Sequence, residues 1–218
     1  MIILLNGTSS SGKTTVAKIL QEKYEGVLLL YGIDTLVQTA FPEKCDYPPY
    51  DEQAIKATFR EVDGHPHATL TVMPYIYPVY RAAVEFCRNL SERGYDLIVD
   101  EVLFDAGRVT QYFEVLYREK VYFIGIKPER DVVVQREKDR GDRVPGLAAG
   151  LYDAVYHPLF SYDLTLDTGV LTPEEAADKI LAYIAQNDSP QGFARSARDW
   201  MAKQERDSGR ADLIRRYR

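Results

Sequence analysis

Gly7-Thr8-Ser9-Ser10-Ser11-Gly12-Lys13-Thr14 decides the fold. Two glycines with four residues between them, then Lys-Thr, are the pattern of a phosphate-binding P-loop. The context agrees with the pattern. Ile2-Ile3-Leu4-Leu5 before it is a short, wholly apolar run, as expected of a strand buried on both faces of a parallel sheet. A helix is expected after it, from Lys13 to about Tyr24. In such a loop the backbone N–H groups turn inward and the helix N-terminus adds partial positive charge. Lys13 then faces the outer phosphates of a nucleoside triphosphate, and the Thr14 hydroxyl is a ligand for Mg²⁺. Gly7 to Thr14 together with Thr15 form the expected nucleotide-binding set.

Strand and helix signals alternate outward from the loop. Gly26 breaks the first helix, and Val27 to Tyr31 reads as a second buried strand. Pro78 opens a helix with apolar residues at Val79, Ala82, Ala83, Phe86, Cys87 and Leu90, closed by Gly94. Leu97-Ile98-Val99, Val121 to Ile126 and Leu164-Thr165-Leu166 are three more strands. Helices are expected over Arg108 to Tyr117 and Arg130 to Asp139. Thr172-Pro173-Glu174-Glu175 is a capping box, and the helix behind it buries Ala176, Ala177, Ile180, Leu181 and Ile184. The alternation predicts an α/β fold of the P-loop NTPase kind: a parallel five-stranded sheet with helices on both faces, spanning residues 1–187. Residues 41–77 carry Pro42, Pro48, Pro49, Pro66 and Pro74 and read as an irregular insertion with one short helix near Glu52 to Phe59. Residues 136–146 read as a lid.

Composition bounds the function. Hydrophobic residues make up 45% of the 218, enough for a full core. The net charge of −6 argues against a general nucleic-acid binder. No apolar run approaches a membrane span and no signal peptide is visible. Cys45 and Cys87 are far apart and lack metal spacing, as in a reduced, cytoplasmic protein. The tail from residue 188 to 218 holds eight Lys/Arg against five Asp/Glu, so it carries +3 and the body −9. It can dock on the body or on another subunit, which leaves a homo-oligomer open, or stand solvated.

Three features go beyond the loop. Asp34 follows the second strand, where ligands of a parallel sheet gather. Its carboxylate is either a base for an attacking hydroxyl or a helix N-cap. Asp100 and Glu101 end the third strand, and either suits the carboxylate that backs a metal ion. Arg136 and Arg140 share a helix face and Arg143 follows Gly141. Planar cations there can neutralise a transferring phosphoryl group, or simply end a solvated helix.

Smaller signals divide evenly or fall short. Tyr47, Tyr50, Tyr75, Tyr77 and Tyr80 suit a ligand wall, and suit the packing of an insertion as well. His65 and His67 lack a third metal ligand. His157 follows a helix and is either near the site or a cap.

The ordered set of motifs resembles the chloramphenicol phosphotransferase-like P-loop kinases. It comprises Ile3 to Thr14, Gly32-Ile33-Asp34-Thr35-Leu36, Leu97 to Val102, Arg140-Gly141-Asp142-Arg143 followed by Gly146-Leu147-Ala148, then His157 and Tyr162 to Thr168. The resemblance implies ATP- and Mg²⁺-dependent phosphorylation of a small-molecule hydroxyl, with Asp34 as base. Phe41 to Tyr80 and the tail depart from the family, so the resemblance does not carry the antibiotic over as substrate. A kinase of a sugar nucleotide or other metabolite would show the same site. A nucleotide-dependent regulatory module would bind ATP, transfer nothing to a small acceptor and engage a partner through its basic tail.

Overall fold

In a computed structural model, the structure describes residues 1–32, 42, 54–141 and 144–208. Strands β1 (Ile2–Asn6), β2 (Leu28–Gly32), β5 (Asp96–Glu101), β6 (Val121–Ile126) and β7 (Leu164–Leu166) form one parallel sheet in the order β2-β5-β1-β6-β7. β1 is central and all five of its residues are buried. Its alternating side chains feed two cores. Ile2 and Leu4 join a cluster with Val99, Phe113 and Phe123 on one face. Ile3 and Leu5 join Val16, Leu20, Ile124 and Ile180 on the other. Each such side chain contributes about 1.5–3 kcal/mol on burial.

The helices follow from local signals. α1 (Lys13–Lys23) and α6 (Pro173–Gln186) cover the Ile3 face, and the Thr172 capping box of α6 forms with both of its bonds. α2 (Tyr77–Glu92) and α3 (Ala106–Leu116) cover the Leu4 face, α3 capped by the Asp105 side chain. α4 (Arg130–Arg140) and α5 (Leu147–Val155) flank the carboxyl end of β6.

Residues 55–72 correct the expectation of a short helix near Glu52 to Phe59. They form an antiparallel hairpin, β3 (Ile55–Val62) with β4 (His65–Val72). Asp63 and Gly64 turn it with φ of 51° and 75°. Positive φ at both central residues matches the twist of the flanking strands, and Asp-Gly is a preferred pair there. Thr58, Val62, Thr69, Thr71 and Val72 add β-branched residues that favour strand over helix. The hairpin lies on α5. A Cβ built on Gly150 would stand 2.0 Å from the Ala68 carbonyl oxygen.

α7 (Gly192–Ser208) takes the basic tail onto the body. Phe193, Ala197, Trp200 and Met201 bury into the Leu4-side core, and Trp200 Nε1 donates to Thr110 Oγ1 at 2.9 Å. Among the described residues no helix is long and apolar enough to cross a membrane.

Candidate active site

The glycine loop leaves β1 through Asn6, which is wholly buried and fully engaged. Asn6 Nδ2 donates to the Val155 carbonyl (2.8 Å) and the Tyr162 hydroxyl (2.7 Å), and its Oδ1 accepts from Leu103 N (3.0 Å). The end of β1 is thus fixed from three directions. At Gly7 a Cβ would stand 2.5 Å from the Ile126 carbonyl oxygen, so only glycine lets the chain turn here. Thr8 N donates to the Tyr156 hydroxyl (3.1 Å), which itself donates to the Ile126 carbonyl (2.6 Å). Burial pushes the Tyr156 phenol well above its ordinary value, so it stays protonated in this role.

The site fits a polyphosphate. The N-cap of α1 is Gly12, which offers no side chain to the first N–H groups of the helix, the groups an anion would engage. The Ser10 hydroxyl is buried and has no hydrogen-bond partner among the described residues. A buried hydroxyl left so costs about 1–3 kcal/mol, and a bound oxygen would relieve it. The Lys13 ammonium donates to the Thr8 carbonyl (3.1 Å) and stands 3.9 Å from Asp100 Oδ1. Thr14 Oγ1 donates to Asp100 Oδ2 at 2.6 Å. Carboxylate, hydroxyl and cation therefore meet at the mouth of the loop. Register explains the meeting, because Asp100 stands opposite Leu5 of β1 and opposite Gly32 of β2.

Glu101 is a correction. Strand geometry sends it to the opposite face from Asp100. Its carboxylate is wholly buried, with Arg108 Nη2 and the Tyr112 hydroxyl both donating at 2.5 Å. Burial pushes the Glu101 carboxyl up, against the pull of Arg108 and Tyr112. The Glu101 carboxylate is engaged inside the fold by Arg108 and Tyr112 and turned away from the loop.

The arginines divide. Arg136 Nη2 donates to the Thr168 carbonyl (2.6 Å) and its Nη1 to Thr168 Oγ1 (3.3 Å). Thr168 Oγ1 in turn donates to the Ser11 carbonyl at 2.6 Å, joining α4 to the glycine loop. Arg136 and Arg140 line a cleft of about 540 Å³ together with Ser10, Gly12, Thr15 and residues 168–173. Asp34 and Arg143 lie outside the described residues.

Of the remaining candidates, Tyr77, Tyr80 and His157 are engaged within the fold. Tyr80 is buried, with the Arg108 guanidinium 4.4 Å from its ring centre. The Tyr77 hydroxyl donates to Asp105, and Tyr75 is exposed. Tyr47 and Tyr50 lie outside the described residues. His157 packs against Trp200, with ring centres 5.1 Å apart. Among the described residues no group of three His, Cys, Asp or Glu side chains could hold a metal. The sequence reading missed Asn6 and Tyr156. A polar residue closing an apolar strand was a signal for Asn6; nothing local marked Tyr156.

Residues 1–185 match the family described as chloramphenicol phosphotransferase-like protein. The chain belongs to that family. By family it is a phosphotransferase of the kinase class. A protein of Mycobacterium tuberculosis strain H37Rv, provisionally named an O-phosphotransferase, is 27% identical over 201 residues, 89% of this chain and 86% of its own. Solved structures of other proteins share the fold, two kinases among them. The adenylylsulfate (APS) kinase of Mycobacterium tuberculosis, solved with AMPPNP and APS, superposes with a TM-score of 0.59 at 14% identity, over 85% of this chain and 97% of that one. The shikimate kinase of Aquifex aeolicus gives a TM-score of 0.55 at 20% identity, over 86% and 98%.

Proposed function

We propose that this protein transfers the γ-phosphoryl group of ATP to a hydroxyl of a small molecule, with Mg²⁺ bound at Thr14 and Asp100. The meeting of Thr14, Lys13 and Asp100 at the mouth of the glycine loop carries this reading. The donor set is oxygen only, a hydroxyl and a carboxylate, which suits a hard cation. When bound, Mg²⁺ offsets charge on the phosphate oxygens and orients them.

The protein's own residues do the rest. Lys13 swings from the Thr8 carbonyl to the outer phosphates. Arg140, on the cleft wall, and Arg143, close after it in sequence, offset negative charge as the phosphoryl group moves. Arg136 and Thr168 hold the cleft against the loop through Ser11. Asp34 lies two residues beyond Gly32, whose strand end borders Asp100, and serves as the base for the acceptor hydroxyl.

Asp34→Asn tests the reading. Asn keeps the size and caps a helix about as well as Asp, but it has no basicity. The variant should melt normally and bind ATP normally, while transfer falls about 10²–10⁴-fold. Normal transfer in that variant would remove Asp34 from the catalytic set.

A further inference from the structure

Thr8, the second residue of the glycine loop, is held from outside the loop. Its backbone N–H donates to the Tyr156 hydroxyl at 3.1 Å. That hydroxyl has one proton and gives it to the Ile126 carbonyl at 2.6 Å, so only its lone pairs serve Thr8. Tyr156 thereby bridges the end of β6 to the loop. The Thr8 carbonyl turns to the loop itself. It accepts from Ser11 N at 3.3 Å and from the Lys13 ammonium at 3.1 Å. A group that fixes Thr8 therefore also fixes the resting place of Lys13.

Tyr156 directly follows α5, and α5 supplies two weaker restraints beside it. The Val155 carbonyl accepts from Asn6 Nδ2 at 2.8 Å, and the Ala148 carbonyl accepts from Thr8 Oγ1 at 3.4 Å. Of the three, only the Tyr156 bond grips the backbone of the loop. The conformation so held is not one the chain adopts by itself. Ser10 has a φ of 61°, in the left-handed region that disfavours any residue with a Cβ. Such a conformation persists where the surrounding structure over-determines it. The ties at Thr8 are all made by protein groups, so they do not depend on a phosphate. The phenol is buried and stays protonated, which keeps the donor to Ile126 in place.

We propose that Tyr156 is the positioning residue of the glycine loop, setting its backbone in advance for the phosphates of the nucleotide. This rests on the phosphotransfer reading above, in which the loop holds those phosphates. The Tyr156 hydroxyl is committed to Ile126 and Thr8, so it acts through the loop. A loop set in advance raises affinity because less ordering remains to be done on binding.

Tyr156→Phe keeps the ring and removes the hydroxyl. Thr8 N then lacks its acceptor, and the loop should relax to give that N–H to water. Binding has to reverse the relaxation. Affinity for AMPPNP with Mg²⁺, measured by calorimetry, should therefore fall about tenfold. Tyr152→Phe is the matched control. Tyr152 lies one turn earlier, is as buried as Tyr156, and its hydroxyl donates to the Pro128 carbonyl at 2.8 Å, outside the loop. Both variants should melt below the wild type. AMPPNP affinity in Tyr152→Phe should hold within about twofold, because its lost bond does not end on the loop. Equal losses of affinity in the two variants, or no loss in Tyr156→Phe, would overturn the proposal. Amide hydrogen exchange supplies a readout without nucleotide. The Thr8 amide should exchange faster in Tyr156→Phe and not in Tyr152→Phe. Unchanged protection of Thr8 in Tyr156→Phe would also overturn it. A wild type that bound no AMPPNP would overturn the phosphotransfer reading together with this one. A wild type and a Tyr156→Phe variant that bound it equally would overturn this one alone.

Discussion

The Thr14 hydroxyl donates to the Asp100 carboxylate at 2.6 Å, and this bond joins the first turn of α1 to the end of β5. It is drawn by register: Asp100 sits beside Leu5, two residues before the glycine loop begins. Its neighbour Glu101 points the other way and pairs with Arg108 inside the core. Two adjacent acids of one strand therefore have separate partners, and substitution should separate their effects.

Asp100→Asn should keep the bond to Thr14 while losing the charge. Transfer should fall at least about 10²-fold, the scale on which lost electrostatic stabilisation acts. The Mg²⁺ concentration for half-maximal activity should rise, and the melting temperature should hardly move. Glu101→Gln should do the reverse. It leaves the buried Arg108 guanidinium without its counter-charge, a loss of about 3–5 kcal/mol. Mg²⁺ titrations and thermal melts on the two variants check both; a shifted Mg²⁺ requirement in a stable Glu101→Gln protein would reverse the assignment.

Thr168→Val should loosen the cleft. Thr168 is buried, accepts from Arg136 and donates to the Ser11 carbonyl. Valine has the same shape and neither bond. Leaving the Ser11 carbonyl unpaired should cost about 1–3 kcal/mol. Because the lost tie runs between the glycine loop and the cleft wall, the KM for ATP should rise more than kcat falls. A stability loss with unchanged KM would make Thr168 a packing residue alone.

The glycine-rich sequence and the five-stranded frame around it were legible in the sequence. The glycine loop has a local cause: its geometry needs glycines, a lysine and a hydroxyl at fixed spacing, so the residues announce it. The five strands were readable because a parallel sheet covered on both faces needs wholly apolar runs. The hairpin was missed although Asp63-Gly64 marked its turn, because the prolines around it drew the eye to irregular chain. The split between Asp100 and Glu101 depends on which face of β5 meets the loop, and that is a property of strand order. Tyr156 sits in no motif. Its partners, Thr8 and Ile126, lie 148 and 30 residues away, and no periodicity links them.

Removal of residues 188–218 should cost the protein its solubility. A solvated tail could be cut without harm, but Phe193, Trp200 and Met201 are part of the core that holds Phe113, Phe123 and Phe160. Truncation would expose those rings. The shortened chain should aggregate or melt far below the full chain, and Trp200→Ala alone should cost about 3–5 kcal/mol. A soluble, active truncated protein would show that α7 is dispensable.

The docking of α7 should also weaken in acid, and His157 is the reason. Its ring stands edge-on to Trp200, and its Nδ1 accepts from Leu159 N at 3.1 Å. Burial holds the imidazole below its ordinary value, and the charge of Lys203 on α7 adds to the effect. The folded protein therefore keeps His157 neutral, whereas an unfolded chain protonates it near the usual value of about 6.5. The unfolded state then binds more protons, so stability rises with pH across that window. This contribution is fully present above the unfolded value and is lost as pH falls from there through the folded value. Protonation also sets a cation beside Lys203 and removes the acceptor for Leu159 N. Trp200 is the sole tryptophan of the chain, so the emission has a single source beside His157. Between pH 8 and pH 5, at roughly the range where histidine titrates, the emission should change with a midpoint below the ordinary histidine value, and the melting temperature should fall. His157→Gln should flatten both curves in that window. An emission change of the same midpoint in His157→Gln would assign the acid sensitivity to another group.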